Sequence, residues 1–195
     1  KILFPSYVCS ALRHAVAMVN GEEKLIDISS NSPNISMSDI NDNPHDLSII
    51  PHMYGIPINF ENKSNPVIED CCQALGAKVN NQFVGLKGDI GIFSFYVTKL
   101  MTSGGQGGML ISNNKKYVDA ARDYREFDLR SDNKKRFNFQ ITDLQAAIGR
   151  EQLKKLPDFL KKRDEIFNVY KNAGLDMLDV DDKAIQPVRY RAIIK

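Results

Sequence analysis

Residues 67–109 read VIEDCCQALGAKVNNQFVGLKGDIGIFSFYVTKLMTSGGQGGM, and this stretch decides how the rest of the chain is read. An acid, Asp70, ends one short β-like run; a lysine, Lys99, follows just past the end of another; a glycine-rich turn lies behind both. In a doubly wound α/β protein, ligands sit outside the carboxyl ends of the strands. Two groups of opposite charge placed there suit a cofactor that needs both.

Working outward, residues 1–4 form a short apolar run closed by Pro5, and Val8, Leu12, Val16 and Val19 then recur with helical spacing until Asn20-Gly21. Residues 25–28 read as the next strand, 29–44 as turn-rich with a brief helix near Ser38, and 47–50 as a further strand ending at Pro51-His52-Met53-Tyr54-Gly55. This alternation predicts an α/β fold, a mostly parallel sheet flanked by helices. Residues 78–84 read as a hairpin, because Asn80-Asn81 tolerates the left-handed turn conformation. Residues 90–97 and 109–111 are strand-like, 117–127 a charged amphipathic helix and 130–136 an exposed basic loop. Thr142-x-x-Gln145 has the form of a capping box opening a helix that Pro157 interrupts; Phe159, Leu160, Ile166, Phe167 and Tyr170 mark a second helix. Residues 188–194 read as an opening strand. The expected division is a large core over 1–172 and the start of a smaller carboxyl-terminal domain over 173–195.

With 195 residues the chain can bury one good core, and 43% hydrophobic and 26% charged residues are those of a soluble globular protein. A formal net charge of +2 gives no argument for nucleic acid or membrane as a partner. Three cysteines, Cys71 and Cys72 adjacent, make no disulfide framework and no metal-type pairing with histidine, so no metal and a reduced, cytoplasmic setting are expected. No apolar run has membrane-spanning length, and the amino terminus lacks a signal-peptide pattern. The chain opens on Lys1 rather than methionine, and a lost upstream segment is expected.

The chemistry that fits Asp70 and Lys99 best is that of pyridoxal phosphate. A lysine amine condenses with the cofactor aldehyde to a Schiff base, and a carboxylate facing the pyridine nitrogen keeps it protonated. Bland readings stand beside this one: a solvated lysine for Lys99, a local cap for Asp70, a surface residue for Gln73, and a serine bonded to its own backbone for Ser94. The run Gly104-Gly105-Gln106-Gly107-Gly108 lacks the order of a dinucleotide-binding loop or P-loop and reads as close backbone packing behind the lysine. His14 and His52 have no nucleophile motif nearby and read as structural. The clusters Lys134-Lys135-Arg136 and Lys161-Lys162-Arg163 read as solvated faces, with a nucleotide diphosphate as the alternative contact.

Ile68-Glu69-Asp70 with Gln73, Gly76-Ala77, Gly85, Gly88-Asp89, Ser94-Phe95, Lys99 and Gly107-Gly108 resembles the cofactor core of the DegT/StrS sugar aminotransferases, fold type I pyridoxal-phosphate enzymes. Pro5-Ser6-Tyr7, Ala15-Val16, Asp27 and His52-x-Tyr54-Gly55 extend the likeness upstream. The resemblance implies that Lys99 is the Schiff-base lysine and shuttles the substrate proton, that Asp70 pairs with the pyridinium, and that Gln73 lies near the ring or its phenolic oxygen. It implies that Ser94 reaches the phosphate, and that Asn138 reaches across a homodimer to the neighbouring phosphate. The implied reaction converts a keto group on a nucleotide-linked sugar to an amine, with an amino acid such as glutamate as donor. Dehydrating relatives carry histidine in place of the lysine, so Lys99 points to transamination.

Two departures stand out: Gln140 lies where the family has arginine, and residues 56–66 are a polar, proline-bounded loop where it has a helix, which leaves one sheet face less covered. The resemblance also implies a first strand and phosphate-binding turn upstream of Lys1, and a closing domain downstream of Lys195. The alternative is a catalytically incomplete remnant acting as a binding or assembly module.

Overall fold

The computed structural model describes residues 1–60 and 63–195. Its main sheet is assembled from β1 (Ile2–Pro5), β2 (Glu23–Ile26), β3 (Leu47–Pro51), β4 (Val67–Asp70), β7 (Ile90–Ser94) and β8 (Gly108–Ile111), in the order β2-β1-β3-β4-β7-β8. The first five are parallel and β8 runs antiparallel to β7. From β1 the chain moves to β2 on one side and then returns to β3 on the other. The crevice where the order reverses opens at the carboxyl ends of β1 and β3.

Alternating side chains send neighbouring residues to opposite faces. Phe4 and Ile49 pack with Leu12 and Val16 of α1 (Ala11–Met18) on one face. Leu3 and Ile50 pack with Ile40 of α2 (Met37–Asp42) on the other. Each such buried side chain stabilises the fold by about 1.5–3 kcal/mol relative to exposure. Ile58 and Phe60 join the second cluster, so the loop after Gly55 itself covers that face. Residues 56–60 and 63–66 form no helix; residues 61–62 lie outside the described residues.

The hairpin forms as read. Strands β5 (Lys78–Val79) and β6 (Gln82–Phe83) flank Asn80 and Asn81, whose φ of 51° and 62° are the left-handed pair that a type I′ turn requires. Strand β9 (Ile185–Gln186) adds to β5 antiparallel, making a second, three-stranded sheet of order β6-β5-β9.

Three expectations need correction. Pro157 does not interrupt its helix: α4 runs unbroken from Asp143 to Asn172. Pro157 lies on an exposed face, while Leu156 before it and Phe167 after it are buried and hold both halves in line. The capping box at Thr142 and Gln145 is formed as expected, with the Gln145 N–H donating to Thr142 Oγ1 at 3.3 Å. Residues 188–194 form no continuous strand; they return to the core, with Val188 and Tyr190 packed against Cys71, Ala74, Leu100 and Leu156. Lastly, the 130–136 loop is not uniformly exposed. The Arg136 guanidinium is covered and bidentate to Asp123, at the end of α3 (Lys115–Tyr124), and it also binds Asp132. Among the described residues no helix is long and apolar enough to cross a membrane.

Candidate active site

Four strand ends build the site. Strand β4 ends on Asp70, which is 9% exposed and accepts a hydrogen bond from the Cys72 N–H at 3.0 Å. This is the local turn contact of the bland reading, and it leaves the carboxylate at the sheet edge. After β7, the Phe95 N–H donates to the Gly107 carbonyl and the Val97 N–H to the Gly105 carbonyl. The glycine-rich segment thus pairs with the chain just ahead of Lys99, and the Lys99 N–H closes a turn on the Tyr96 carbonyl at 2.9 Å. A Cβ on Gly107 would lie 2.1 Å from Ser103 Oγ and one on Gly108 3.0 Å from the Phe93 carbonyl oxygen, so these two glycines are closely packed, whereas Gly105 has open space around it and a φ of 148°.

Lys99 is half-buried, and among the described residues its amine has no anionic partner; Nζ lies 5.5 Å from the centroid of the Tyr190 ring. Asp70 ends β4 and Lys99 follows the adjacent parallel strand β7, and the Cys72 thiol is sensitive to both. Burial pushes its thiol well above the usual range, the Asp70 charge and hydrogen bond push the same way, and the Lys99 ammonium pulls it back. One thiol therefore feels both the carboxylate and the amine.

Gln73 is not a free surface residue. Its Oε1 accepts from the Tyr54 N–H at 2.8 Å and so holds the turn after β3, where Tyr54 has a φ of 56°. The Tyr54 hydroxyl contacts that of Tyr7, from the end of β1; this bond, together with burial, pushes the Tyr54 phenol up to about 12. Both tyrosines line a cleft of about 1110 Å³ that also takes in Asn34, Asn59, Asp179 and Lys195. Ser94 Oγ accepts from the Tyr96 N–H at 3.3 Å, a backbone contact within its own turn. Asn138 is not brought to this group within one chain. It is exposed, in a segment tied to α3 by Phe137 and Phe139 N–H bonds to the Tyr124 and Arg125 carbonyls.

Sequence reasoning gave no role to Glu69. Its carboxylate is 1% exposed and accepts from the Gly85 N–H at 2.9 Å, the Gly88 N–H at 2.6 Å and His52 Nε2 at 3.1 Å. The Ile58 N–H donates to His52 Nδ1 at 3.1 Å, so Nδ1 carries no proton and Nε2–H is the donor to Glu69. Burial would raise the Glu69 carboxyl, but these hydrogen bonds outweigh it and hold the group below its ordinary range. The signal available was an acid inside an apolar parallel strand, where a buried charge must be fully bonded. Cys71 Sγ lies within 4.8 Å of the His52 and Glu69 donor atoms, but both histidine nitrogens and both glutamate oxygens are engaged, which makes a hydrogen-bonded knot rather than a metal centre.

A mostly parallel sheet thus carries a lysine, an acid and a glutamine at its carboxyl edge. The sequence model of the DegT/DnrJ/EryC1/StrS aminotransferase family matches residues 1–189, and the chain belongs to that family. It is 29% identical over 186 residues to a GDP-perosamine synthase of Escherichia coli O157:H7, a match covering 88% of this chain and 51% of that protein. It is 34% identical over 160 residues to a UDP-4-amino-4,6-dideoxy-N-acetyl-beta-L-altrosamine transaminase of Campylobacter jejuni, covering 76% and 40%. The chain spans about half the length, or less, of these relatives. A Streptococcus pneumoniae protein solved in a PLP-form superposes with a TM-score of 0.81 at 19% identity, over 97% of this chain and 58% of that one, which shows the shared fold.

Proposed function

We propose that this chain is the cofactor-binding core of an aminotransferase that replaces a keto group on a nucleotide-linked sugar with an amine taken from an amino acid such as glutamate. The observation that carries the reading is the placement of Asp70 at the end of β4 and of Lys99, half-buried and with no anionic partner among the described residues, just past the adjacent parallel strand β7. This donor set fits pyridoxal 5'-phosphate: an amine to condense with an aldehyde, an acid for a ring nitrogen, and hydroxyl and amide groups on either side. Bound there, that group would supply an electron-accepting ring. Lys99 Nζ would hold the aldehyde carbon and move the substrate proton, Asp70 would keep a proton on the ring nitrogen, and Ser94 would bond a phosphate oxygen.

The nucleotide-sugar substrate is supported by the names of the relatives, a GDP-perosamine synthase among them. We place the protein in the cytoplasm as a homodimer in which Asn138 serves the neighbouring subunit. Its exposed position, next to exposed Phe139, supports that arrangement. The boundary near 172 is likewise proposed as the passage to a smaller domain.

The test is an absorption spectrum of the chain with added pyridoxal phosphate, beside Lys99→Ala, followed by borohydride reduction and peptide mapping. A band lost in the variant, with the reduced adduct on Lys99, is expected. Labelling scattered over surface lysines would overturn the enzyme reading and favour a binding or assembly module.

A further inference from the structure

We infer that Tyr190 is a positioning residue for Lys99, its ring face holding the ammonium in place at the sheet edge. The inference rests on the proposed role of Lys99 for its functional meaning, and on contacts within this chain for its substance.

The Lys99 Nζ lies 5.5 Å from the Tyr190 ring centroid, within the range in which an aromatic face attracts a cation, and the Arg191 guanidinium shares the same ring at 5.2 Å. Among the described residues the Lys99 amine has neither an ion pair nor a hydrogen bond, so the ring is the group left to orient it. A ring can do this only if it is fixed itself. Tyr190 is 8% exposed and belongs to the buried cluster that includes Leu100, the residue after the lysine, and Cys71 and Ala74, which flank Cys72 and Gln73.

Its backbone is pinned from three sides. The Tyr190 N–H donates to the Val188 carbonyl at 3.0 Å, and the Tyr190 carbonyl accepts from Arg163 Nη1 of α4 at 3.2 Å. The Val188 N–H donates to the Gly55 carbonyl at 2.9 Å. Gly55 fits there because it has no side chain: a Cβ would come within 2.0 Å of the Val188 carbonyl oxygen, and its φ is 84°. The ring is thus locked to the turn carrying Tyr54, to α4 and to the residue beside Lys99 at once. An amine without a charged partner would otherwise sample many rotamers, and a condensing group must be held near one geometry to react efficiently.

The test compares wild type with Tyr190→Phe, Tyr190→Leu and a series carrying progressively fluorinated phenylalanine at 190. That series keeps the ring shape while draining its negative face. Lysine amines are labelled with a trace of acetic anhydride at fixed pH and counted by mass spectrometry, with Lys78, which lies 4.6 Å from the exposed Phe83 ring, as the internal reference. An ammonium held by the ring is withdrawn from the reagent. Labelling at Lys99 relative to Lys78 is expected to match wild type in Tyr190→Phe, to rise about two- to fivefold in Tyr190→Leu, and to climb with each added fluorine.

Equal labelling across the fluorinated series would overturn the inference, and so would a rise in Tyr190→Phe as large as in Tyr190→Leu, which would assign the effect to the hydroxyl. If Tyr190→Leu loses its fold, the isosteric fluorinated series alone decides. Because acetic anhydride needs no pyridoxal phosphate, failure of the cofactor to add to Lys99 would overturn the proposed function without touching this result.

Discussion

At the carboxyl edge of the sheet a histidine, a glutamate and an asparagine lie buried with their hydrogen bonds made, whereas in the arm over residues 126–141 a leucine and two phenylalanines face water and an arginine is the covered side chain. In the edge, Asn34 donates to the Ile56 carbonyl and accepts from the Met53 N–H, and Glu69 joins β4 to the turn at residues 85–88. In the arm, Leu129 combines full exposure with a φ of 57°, a conformation that is costly for a leucine, and Phe137 and Phe139 stack at 4.8 Å without closing over a core. In the edge these buried polar groups find their partners within the chain. The arm carries its fixed geometry on a polar clamp and leaves its apolar surface uncovered.

The sharpest way to break this contrast is Glu69→Ala. The Gly85 and Gly88 N–H groups and His52 Nε2–H would lose their acceptor inside the protein, and at about 1–3 kcal/mol for each stranded donor the loss should be at least about 3 kcal/mol in urea unfolding. The milder Glu69→Gln tests the charge. The folded carboxyl lies below its ordinary 4.5, so its contribution is complete above about pH 4.5 and is lost as pH falls through the folded value. The stability gap between wild type and Glu69→Gln should therefore narrow as the pH is lowered below 4.5; a gap constant from pH 7 to pH 3 would refute a charged, hydrogen-bonded Glu69.

A smaller effect, of opposite sign, is expected from Pro157→Ala on the exposed face of α4. It restores one helical hydrogen bond while giving the unfolded chain more freedom, for a net gain of about 1–2 kcal/mol in the same assay. The smallest global effect belongs to Arg136→Gln in the arm. Hydrogen exchange should speed up at the Phe137 and Phe139 amides, which bond the Tyr124 and Arg125 carbonyls, while the amides of β1, β3 and β4 keep their protection. Equal loosening of the sheet would show that arm and edge are one cooperative unit.

The edge was legible in the sequence because its signals are local. Apolar runs ending on Pro5, Pro51 and Asp70, the Asn80-Asn81 turn and the Thr142 capping box each act within a few residues, and each element formed. What escaped depends on distant partners. Pro157 reads as a break because its backbone effect is local, whereas the burial of Leu156 and Phe167 that outweighs it is tertiary. The pairing of β9 with β5 joins residues about a hundred positions apart, and nothing near Tyr190 marks it as a neighbour of Lys99. Arg136 sits in a run of three cations that reads as solvated, yet it is Arg136 that meets Asp123 and Asp132. Gln73 and Ser94 were singled out by type, and their partners in this structure, the Tyr54 and Tyr96 N–H groups, came from the fold.

The unbroken α4 links the arm to the core. At 30 residues it is about 45 Å long. Thr142 ties its amino end to the arm that bears Asn138, while Arg163, towards the other end, grips the Tyr190 carbonyl. One continuous helix therefore carries, at its start, the segment that bears Asn138 and, further along, the bond that holds the residue whose ring faces Lys99.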